Sequence, residues 1–236
     1  MSQKNPEVVD DERGTSRLEA FSDGVIAVAI TLLVLDIHVP TQEELVGLGL
    51  QDWLFSQKEW PHLLGYVTSF LLIGIYWANH HQMFKYIKRT DHFFLMINIV
   101  FLMSIVFIPF TTSLMTGFMT EAHKHEAALI YSASLLLAGL TYNAIWWYAA
   151  HKHRLLATNL SPSFVRRLRW SYLTGVPLYL LSMLLSLVSV EASIGLYILI
   201  AVIYVLPLDR LRFWKESNDA TKGDIQNISE PQEERA

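Results

Sequence analysis

The chain has 236 residues, of which 52% are hydrophobic and 12% aromatic, and its formal net charge at pH 7 is −4. So apolar a composition excludes an ordinary soluble domain and is typical of a protein with several membrane-spanning helices. The chain contains no cysteine, which excludes a disulfide framework and a thiolate metal site.

Long intervals without lysine or arginine predict the membrane-spanning helices. The predicted helices span residues 17–38, 61–84, 92–117, 125–150, 169–189 and 193–209. We place a tight turn between the last two at residues 190–193. The polar N-terminal segment lacks a basic region followed directly by a cleavable apolar stretch, so we expect an uncleaved first span.

The positions of the positive charges support a six-span topology. With six spans, all 18 lysine and arginine residues except Lys58 and Lys124 fall on the side of the two termini. Positive charge collects in cytoplasmic loops, so we predict a multi-pass plasma-membrane protein with both termini cytoplasmic. Residues 1–16 would form a polar tail, residues 17–214 the transmembrane domain, and residues 215–236 a second polar tail that we expect to be disordered.

The first predicted helix begins with polar groups that a simple membrane anchor does not need. Arg17, Phe21, Ser22 and Asp23 form the motif R-x-x-x-F-S-D. Ionisable groups within a membrane are costly and usually have bonded partners inside a helix bundle. We therefore expect Asp23 to be a buried anchor to neighbouring helices rather than an ion ligand.

A nearly apolar stripe runs along one face of the same helix, away from Ser22 and Asp23. On a helical wheel with about 100° per residue, the stripe comprises Arg17, Phe21, Gly24, Val28, Thr31, Leu32 and Leu35. From the residues alone, the stripe fits a lipid-facing or packing surface better than a pore lining.

The connection at residues 39–60 is the longest one predicted on the outer side. It contains Trp53, Phe55 and Trp60, which favour a short helix at the membrane interface. An ordinary surface loop with interfacial tryptophans is the alternative.

Polar residues in the second and third predicted helices lie at about the same membrane depth as Asp23. His80 and His81 end the second helix, and Asn98 lies near the start of the third. Adjacent positions on a helix point about 100° apart, so the two histidines do not readily hold one ion, and we expect no metal. We expect instead a hydrogen-bonded network of Asp23, His80 or His81, and Asn98. Pro109 is expected to kink the third helix, with the hydroxyls that follow it bonding the freed carbonyls.

Taken together, these features resemble the transmembrane protein 175 family of potassium channels. The matching elements are the R-x-x-x-F-S-D motif, the aromatic-rich segment ending in histidines at residues 76–81, and Asn98 with Pro109. The resemblance covers about residues 15 to 215. It implies an all-α homotetramer in which the first helix of each subunit lines a central pore.

The resemblance also implies roles for individual residues. The apolar constriction would be formed by Val28, Leu32 and Leu35, with Thr31 as a polar layer beside them. Val28 is smaller than the isoleucine or leucine common in the family, which implies a looser innermost constriction. The residues implied to form a structural polar network are Arg17, Phe21, Ser22, Asp23, Trp77, His80, His81 and Asn98.

The predicted function is a modestly selective, potassium-permeable cation channel with an apolar gate. Its partners would be potassium and other monovalent cations, the lipid bilayer and further copies of the chain, with no cofactor and no nucleic acid. The chain has no Thr-Val-Gly-Tyr-Gly filter and no Walker A, H-E-x-x-H or G-x-S-x-G motif, so no enzyme is indicated. The alternatives are a proton-coupled secondary transporter using Asp23 with His80 or His81, and a membrane-embedded signalling or assembly protein.

Overall fold

Eight α-helices make up the computed structural model, which describes residues 6–47, 49–56, 59–120, 122–158 and 160–205, with the backbone alone for residues 6–14. The helices are α1 (Pro6–Leu32), α2 (Leu50–Leu54), α3 (Trp60–Phe84), α4 (His92–Gly117), α5 (Lys124–Ala150), α6 (Pro162–Leu173), α7 (Gly175–Ser186) and α8 (Val190–Val205). A 3-10 turn (Leu33–Asp36) follows α1 and another (His151–His153) follows α5. No strand forms within the described ranges, so the predicted all-α class is confirmed.

The chain divides into two units, Met1–Ala201 and Val202–Ala236. The first contains the helices up to Ala201 in α8. In the second, the described residues are the last turn of α8, up to Val205. The predicted C-terminal tail at residues 215–236 and the loop residue Lys58 lie outside the described residues.

Four segments of the described chain are long and apolar enough to cross a membrane. They are Thr15–Asp36, Trp60–Phe84, His92–Gly117 and Lys124–His153, and they coincide with the first four predicted spans. The first differs at its ends, since α1 already begins at Pro6 and gives way to the 3-10 turn after Leu32. The short helix α2 lies within the connection where one was predicted.

The region predicted as the fifth span, residues 169–189, differs from expectation. It is divided into α6 and α7 at Thr174. Pro177 lies in the first turn of α7 and has no amide hydrogen to donate to the carbonyl of Leu173, so a continuous α-helical ladder is interrupted at that residue. The helix also begins earlier than predicted, because the Ser161 hydroxyl accepts a hydrogen bond from the Phe164 amide at 3.3 Å and caps α6.

The predicted turn before the last helix is wrong by about one helical turn. Residues 190–193 are helical, and the chain turns instead at residues 187–189. The reason is a serine cap, since the Ser189 hydroxyl accepts a hydrogen bond from the Ala192 amide at 3.1 Å. A serine at this position satisfies an amide that has no partner in the first turn, and α8 therefore begins at Val190.

Aromatic side chains fill the centre of the helix bundle. α4 packs against α1, α3 and α5, and α5 also packs against α7. The ring of Tyr76 on α3 lies 6.0–6.2 Å, centroid to centroid, from the rings of Phe101, Tyr142 and Tyr179. These rings join α3, α4, α5 and α7 into one packed body, against which α1 lies.

Buried hydroxyl groups connect α3, α4 and α5 near the middle of the bundle. Ser69 Oγ lies 2.8 Å from Thr112 Oγ1 and 3.0 Å from Tyr131 Oη. Thr111 Oγ1 lies 2.9 Å from Ser134 Oγ. All five side chains are buried, so these bonds form where water does not compete, and the threonines of α4 do not line a solvated path within the chain.

Pro109 lies inside α4, which continues through it as one helix. A proline cannot donate to the carbonyl four residues earlier, here that of Ile105. Thr111 and Thr112 instead donate to the carbonyl of Ile108 at 3.0 and 2.9 Å. The expected bonding of the freed carbonyl is therefore wrong, since these hydroxyls bond a carbonyl of the same helix about one turn beyond it.

The loops that follow α3 and α5 are joined to each other. Ile87 and Leu156 form an isolated antiparallel bridge. Asp91 caps α4 by accepting from the Phe94 amide at 2.9 Å, and it also accepts from the Tyr148 hydroxyl and from Arg154. Partial desolvation acts to raise the pKa of the Asp91 carboxyl, but these hydrogen bonds and the Arg154 charge outweigh it, and the pKa lies below its ordinary value.

Candidate functional site

The transmembrane part of α1 has one buried and one exposed face. Ile26 and Ala29 are fully buried against the other helices, whereas Val28 and Leu32 are 57% and 40% exposed. Leu35 is 76% exposed, but it lies in the 3-10 turn rather than in α1. All of the predicted constriction residues therefore lie on the surface that a single chain leaves uncovered.

Thr31 lies on the same exposed face, one residue before Leu32. Its hydroxyl donates to the carbonyl of Val28 at 2.8 Å. Because the hydroxyl hydrogen is engaged within the helix, the oxygen is presented as an acceptor. An acceptor oxygen is the group that binds a cation, so this position supplies a polar layer within an otherwise apolar face.

A buried chain of hydrogen bonds runs through three helices near the start of the transmembrane part of α1. His80 Nε2 donates to Asn98 Oδ1 at 2.9 Å, and Asn98 Nδ2 donates to Ser22 Oγ at 2.9 Å. Ser22 then donates to the carbonyl of Leu18 at 2.8 Å. All three polar side chains are fully buried, so this chain fastens α1 to α3 and α4.

Asp23 does not belong to this buried chain, which corrects the expected network of Asp23, a histidine and Asn98. Residues 22 and 23 point about 100° apart, so Ser22 faces α4 and Asp23 faces α3. Asp23 is half-buried rather than buried, and its Oδ1 accepts from Trp77 Nε1 at 2.9 Å. The two adjacent histidines also serve different groups, since His81 Nδ1 lies 2.8 Å from Glu19 Oε1.

The first two residues of the motif lie apart from these bonded groups, on the exposed face. Arg17 is exposed, and Phe21 is 57% exposed. Phe21 and Val25 face the middle of α4 across an apolar groove of about 460 Å³. Phe21 thus contributes an apolar surface rather than a hydrogen bond to the motif.

A second polar contact, which the sequence analysis missed, holds the far end of α1. Asp36 Oδ2 accepts from His62 Nδ1 on α3 and from Thr116 Oγ1 on α4, each at 2.9 Å. An acidic residue that ends an apolar run, with a histidine at the start of the next membrane-spanning segment, is a signal visible in the sequence. Glu19 is a second residue that the sequence analysis missed, since it contacts His81, for which the sequence predicts partners in Asp23 and Asn98.

Comparison with known proteins gives the family of the chain. Residues 17–109 match the family described as endosomal/lysosomal potassium channel TMEM175. A potassium channel of Chamaesiphon minutus is 38% identical to the chain over 196 residues, which are 83% of this chain and 96% of that protein. The chain belongs to the TMEM175 family. A potassium channel of Streptomyces collinus is 36% identical over 191 residues, 80% of this chain and 91% of the relative.

The solved structures agree with this assignment. The crystal structure of a lysosomal potassium-selective channel TMEM175 homolog from Chamaesiphon minutus superposes with a TM-score of 0.73 at 36% identity, covering 82% of this chain and 97% of that one. The stretch that matches the TMEM175 family begins at Arg17 and ends at Pro109. It contains every candidate residue of the stripe and of the polar contacts between α1, α3 and the start of α4.

Proposed function

We propose that the chain is a potassium-permeable, modestly selective cation channel of the cell membrane, in which α1 from each of four subunits surrounds a central pore. The observation that carries this proposal is the division of α1 into a buried face and an exposed face with Thr31 on it. The names of the relatives, which are potassium channels, support the same function.

The gate is a ring of apolar side chains. Val28, Leu32 and Leu35, repeated in each subunit, form a narrow constriction that water does not fill in the closed state, and an ion cannot cross it without its hydration shell. The Thr31 oxygens lie beside this constriction and replace part of the lost hydration. Dehydration with only one polar layer discriminates potassium from sodium less than rings of backbone carbonyls do.

We also propose that the chain crosses the membrane six times. α6 and α7 together form the fifth span, with a length of roughly 37 Å if both are α-helical, and α8 forms the sixth at roughly 24 Å. A sixth crossing returns the C-terminus to the side of the N-terminus. The accumulation of lysine and arginine on that side supports a cytoplasmic location for both.

A proton-coupled transporter is not favoured as an alternative. Asp23 bonds Trp77, His80 bonds Asn98 and His81 lies against Glu19. Within the described residues no hydrogen bond joins Asp23, His80 and His81 to one another, so they do not form a continuous relay. The relatives described above are named channels.

The experiment that tests the proposal is a current recording of Leu32→Asn. Purified protein is placed in a planar bilayer between potassium and sodium solutions. An asparagine in each subunit wets the constriction, so we expect constitutive cation current and lower potassium selectivity than in the wild type. Leu35→Ala widens the ring and is expected to raise open probability.

The matched control is Leu137→Asn on α5, since Leu137 is exposed to a similar degree, 48% against 40% for Leu32. This change places the same polar group on a helix that does not line the proposed pore, so the current should resemble that of the wild type. Unchanged or reduced current in a well-folded Leu32→Asn protein would exclude α1 as the pore lining.

A further inference from the structure

Three potential metal ligands meet between α1 and α3, outside the buried chain of hydrogen bonds. Glu19 and Asp23 on α1 and His81 on α3 each offer one ligand atom, and the three atoms lie within 4.8 Å of one another. Glu19 and Asp23 are four residues apart and so lie on the same side of the helix. The cluster therefore bridges two helices.

Trp77 holds two of the three side chains in place. Its indole Nε1 donates to Asp23 Oδ1 at 2.9 Å, and its ring stacks on that of His81 with centroids 6.2 Å apart and planes 25° from parallel. Metal ligands are typically oriented by neighbouring groups of this kind, which fix the carboxylate and the ring before the metal binds.

The contact between His81 and Glu19 is the part of this cluster that lacks a hydrogen bond. His81 Nδ1 is shielded from solvent and lies 2.8 Å from Glu19 Oε1, yet the two atoms do not have the geometry of a hydrogen bond. The histidine side chain as a whole is 45% exposed and that of Glu19 is 28% exposed. The cluster therefore lies at the surface of the single chain.

We propose that Glu19, Asp23 and His81 bind one divalent transition-metal ion, with Zn²⁺ and Co²⁺ as the fitting examples. One imidazole nitrogen with two carboxylate oxygens suits these ions, whereas Ca²⁺ and Mg²⁺ prefer oxygen ligands throughout. Two carboxylates balance the charge of a divalent ion. Ligand atoms about 2.0–2.2 Å from a zinc ion stand roughly 3–3.5 Å apart, a spacing that small side-chain rotations of the three residues reach.

The proposal differs from the sequence-based expectation of no metal, and it uses a different set of residues. That expectation considered the adjacent His80 and His81 as a pair. In the structure His80 Nε2 is engaged by Asn98, and it is Glu19 that completes the set with His81. The site does not depend on the proposed channel function, because metal binding is measured directly.

The test is calorimetric titration of the purified full-length protein, with any affinity tag removed, using Zn²⁺ alone. We expect one Zn²⁺ per chain, and a rise in the thermal unfolding temperature when it binds. Glu19→Gln and His81→Asn should each weaken binding at least tenfold, a loss typical when a metal site is damaged. The visible spectrum of bound Co²⁺ should disappear in the same two variants.

The controls are Glu126→Gln and His123→Asn, which remove an exposed histidine and carboxylate whose atoms lie 3.6 Å apart elsewhere on the chain. Both should bind Zn²⁺ as the wild type does. Unfolding curves recorded without metal show whether the variants are folded. Wild-type binding in folded Glu19→Gln and His81→Asn, binding lost in the controls, or no binding in the wild type would each overturn the site.

Discussion

Asn98 makes two hydrogen bonds in a fully buried position, one with His80 on α3 and one with Ser22 on α1. Its amide can do so because it carries an acceptor and a donor on one rigid group. Removing it leaves both partners buried without their bonds. A buried polar group without a partner lowers the free energy of unfolding by about 1–3 kcal/mol. Removing a hydrogen bond that is exposed to water lowers it less.

We predict that Asn98→Leu destabilises the protein strongly and Asp23→Asn only slightly. Leucine has similar size but no polar atoms, so the expected loss is about 1–3 kcal/mol for each partner left unbonded. Asparagine at position 23 keeps an oxygen for Trp77, and the expected loss is below about 1 kcal/mol. Thermal unfolding in detergent compares the two, and equal losses would contradict this ranking.

The sequence predicts Asp23 as the buried residue that anchors α1, whereas in the structure that residue is Ser22. Both residues belong to the same motif, and a rotation of about 100° between neighbours decides which of them meets α4. Periodicity predicts the faces of a helix, but it does not fix the rotation of that face toward a particular neighbour. The packing of Ile26 and Ala29 sets this rotation, and it is known only from the fold.

At the scale of helices, α3 and α4 approach closely at Gly65. A Cβ atom at this position would clash with Thr116 Cγ2 and would lie 3.3 Å from Thr112 Cγ2. At Gly74, on the same helix, the corresponding point has no atom within 4 Å apart from the glycine's own neighbours in α3. Replacing each glycine by alanine therefore separates two effects, the crowding between α3 and α4 and the higher intrinsic helix propensity of alanine over glycine.

We predict that Gly65→Ala lowers the unfolding temperature and that Gly74→Ala does not. Overpacking a tight contact costs about 1–3 kcal/mol, which exceeds the gain of up to about 1 kcal/mol from replacing glycine in a helix. Gly74→Ala keeps only the gain, so its unfolding temperature should be equal or higher. A Gly65→Ala protein as stable as the wild type would mean that α3 and α4 can separate without cost.

The helices themselves were predictable to different degrees. α3, α4 and α5 begin and end within one residue of the expected bounds, because charged or polar residues interrupt the apolar sequence at both ends. Between Arg169 and Asp209 the one charged residue is Glu191, and the divisions of this region follow Pro177 and the cap at Ser189 instead. Both signals are present in the sequence, but they are local features within a continuous apolar stretch.

At the scale of the whole molecule, the six-span topology predicts the side from which each loop can be labelled. The chain has no cysteine, so each introduced cysteine is the only thiol. We expect Glu43→Cys and Val188→Cys to react with a membrane-impermeant maleimide from outside the cell. Lys88→Cys and Arg166→Cys should react only in inverted vesicles. All four positions are exposed.

Val188 is the decisive position, because it lies between α7 and α8. Labelling of Val188→Cys from the same side as Lys88→Cys would show that α6 and α7 do not cross the membrane. Labelling of Arg166→Cys from outside would place an odd number of crossings before α6. Glu43→Cys, in the connection that precedes α3, and Lys88→Cys, in the loop that follows it, are the internal references for the two sides.

The first membrane-spanning segment, Thr15–Asp36, is attached at two levels, through Ser22 and Asp23 near one end and through Asp36 at the other. About 20 Å of helix separates them, and along it Ile26 and Ala29 make apolar contacts, which have no preferred direction. A helix held by hydrogen bonds at both ends resists rotation about its axis and sliding along it. Either movement takes the polar atoms at both ends out of bonding distance. We therefore expect the helix to bend most readily between the two sets of contacts, where Val28, Thr31 and Leu32 lie.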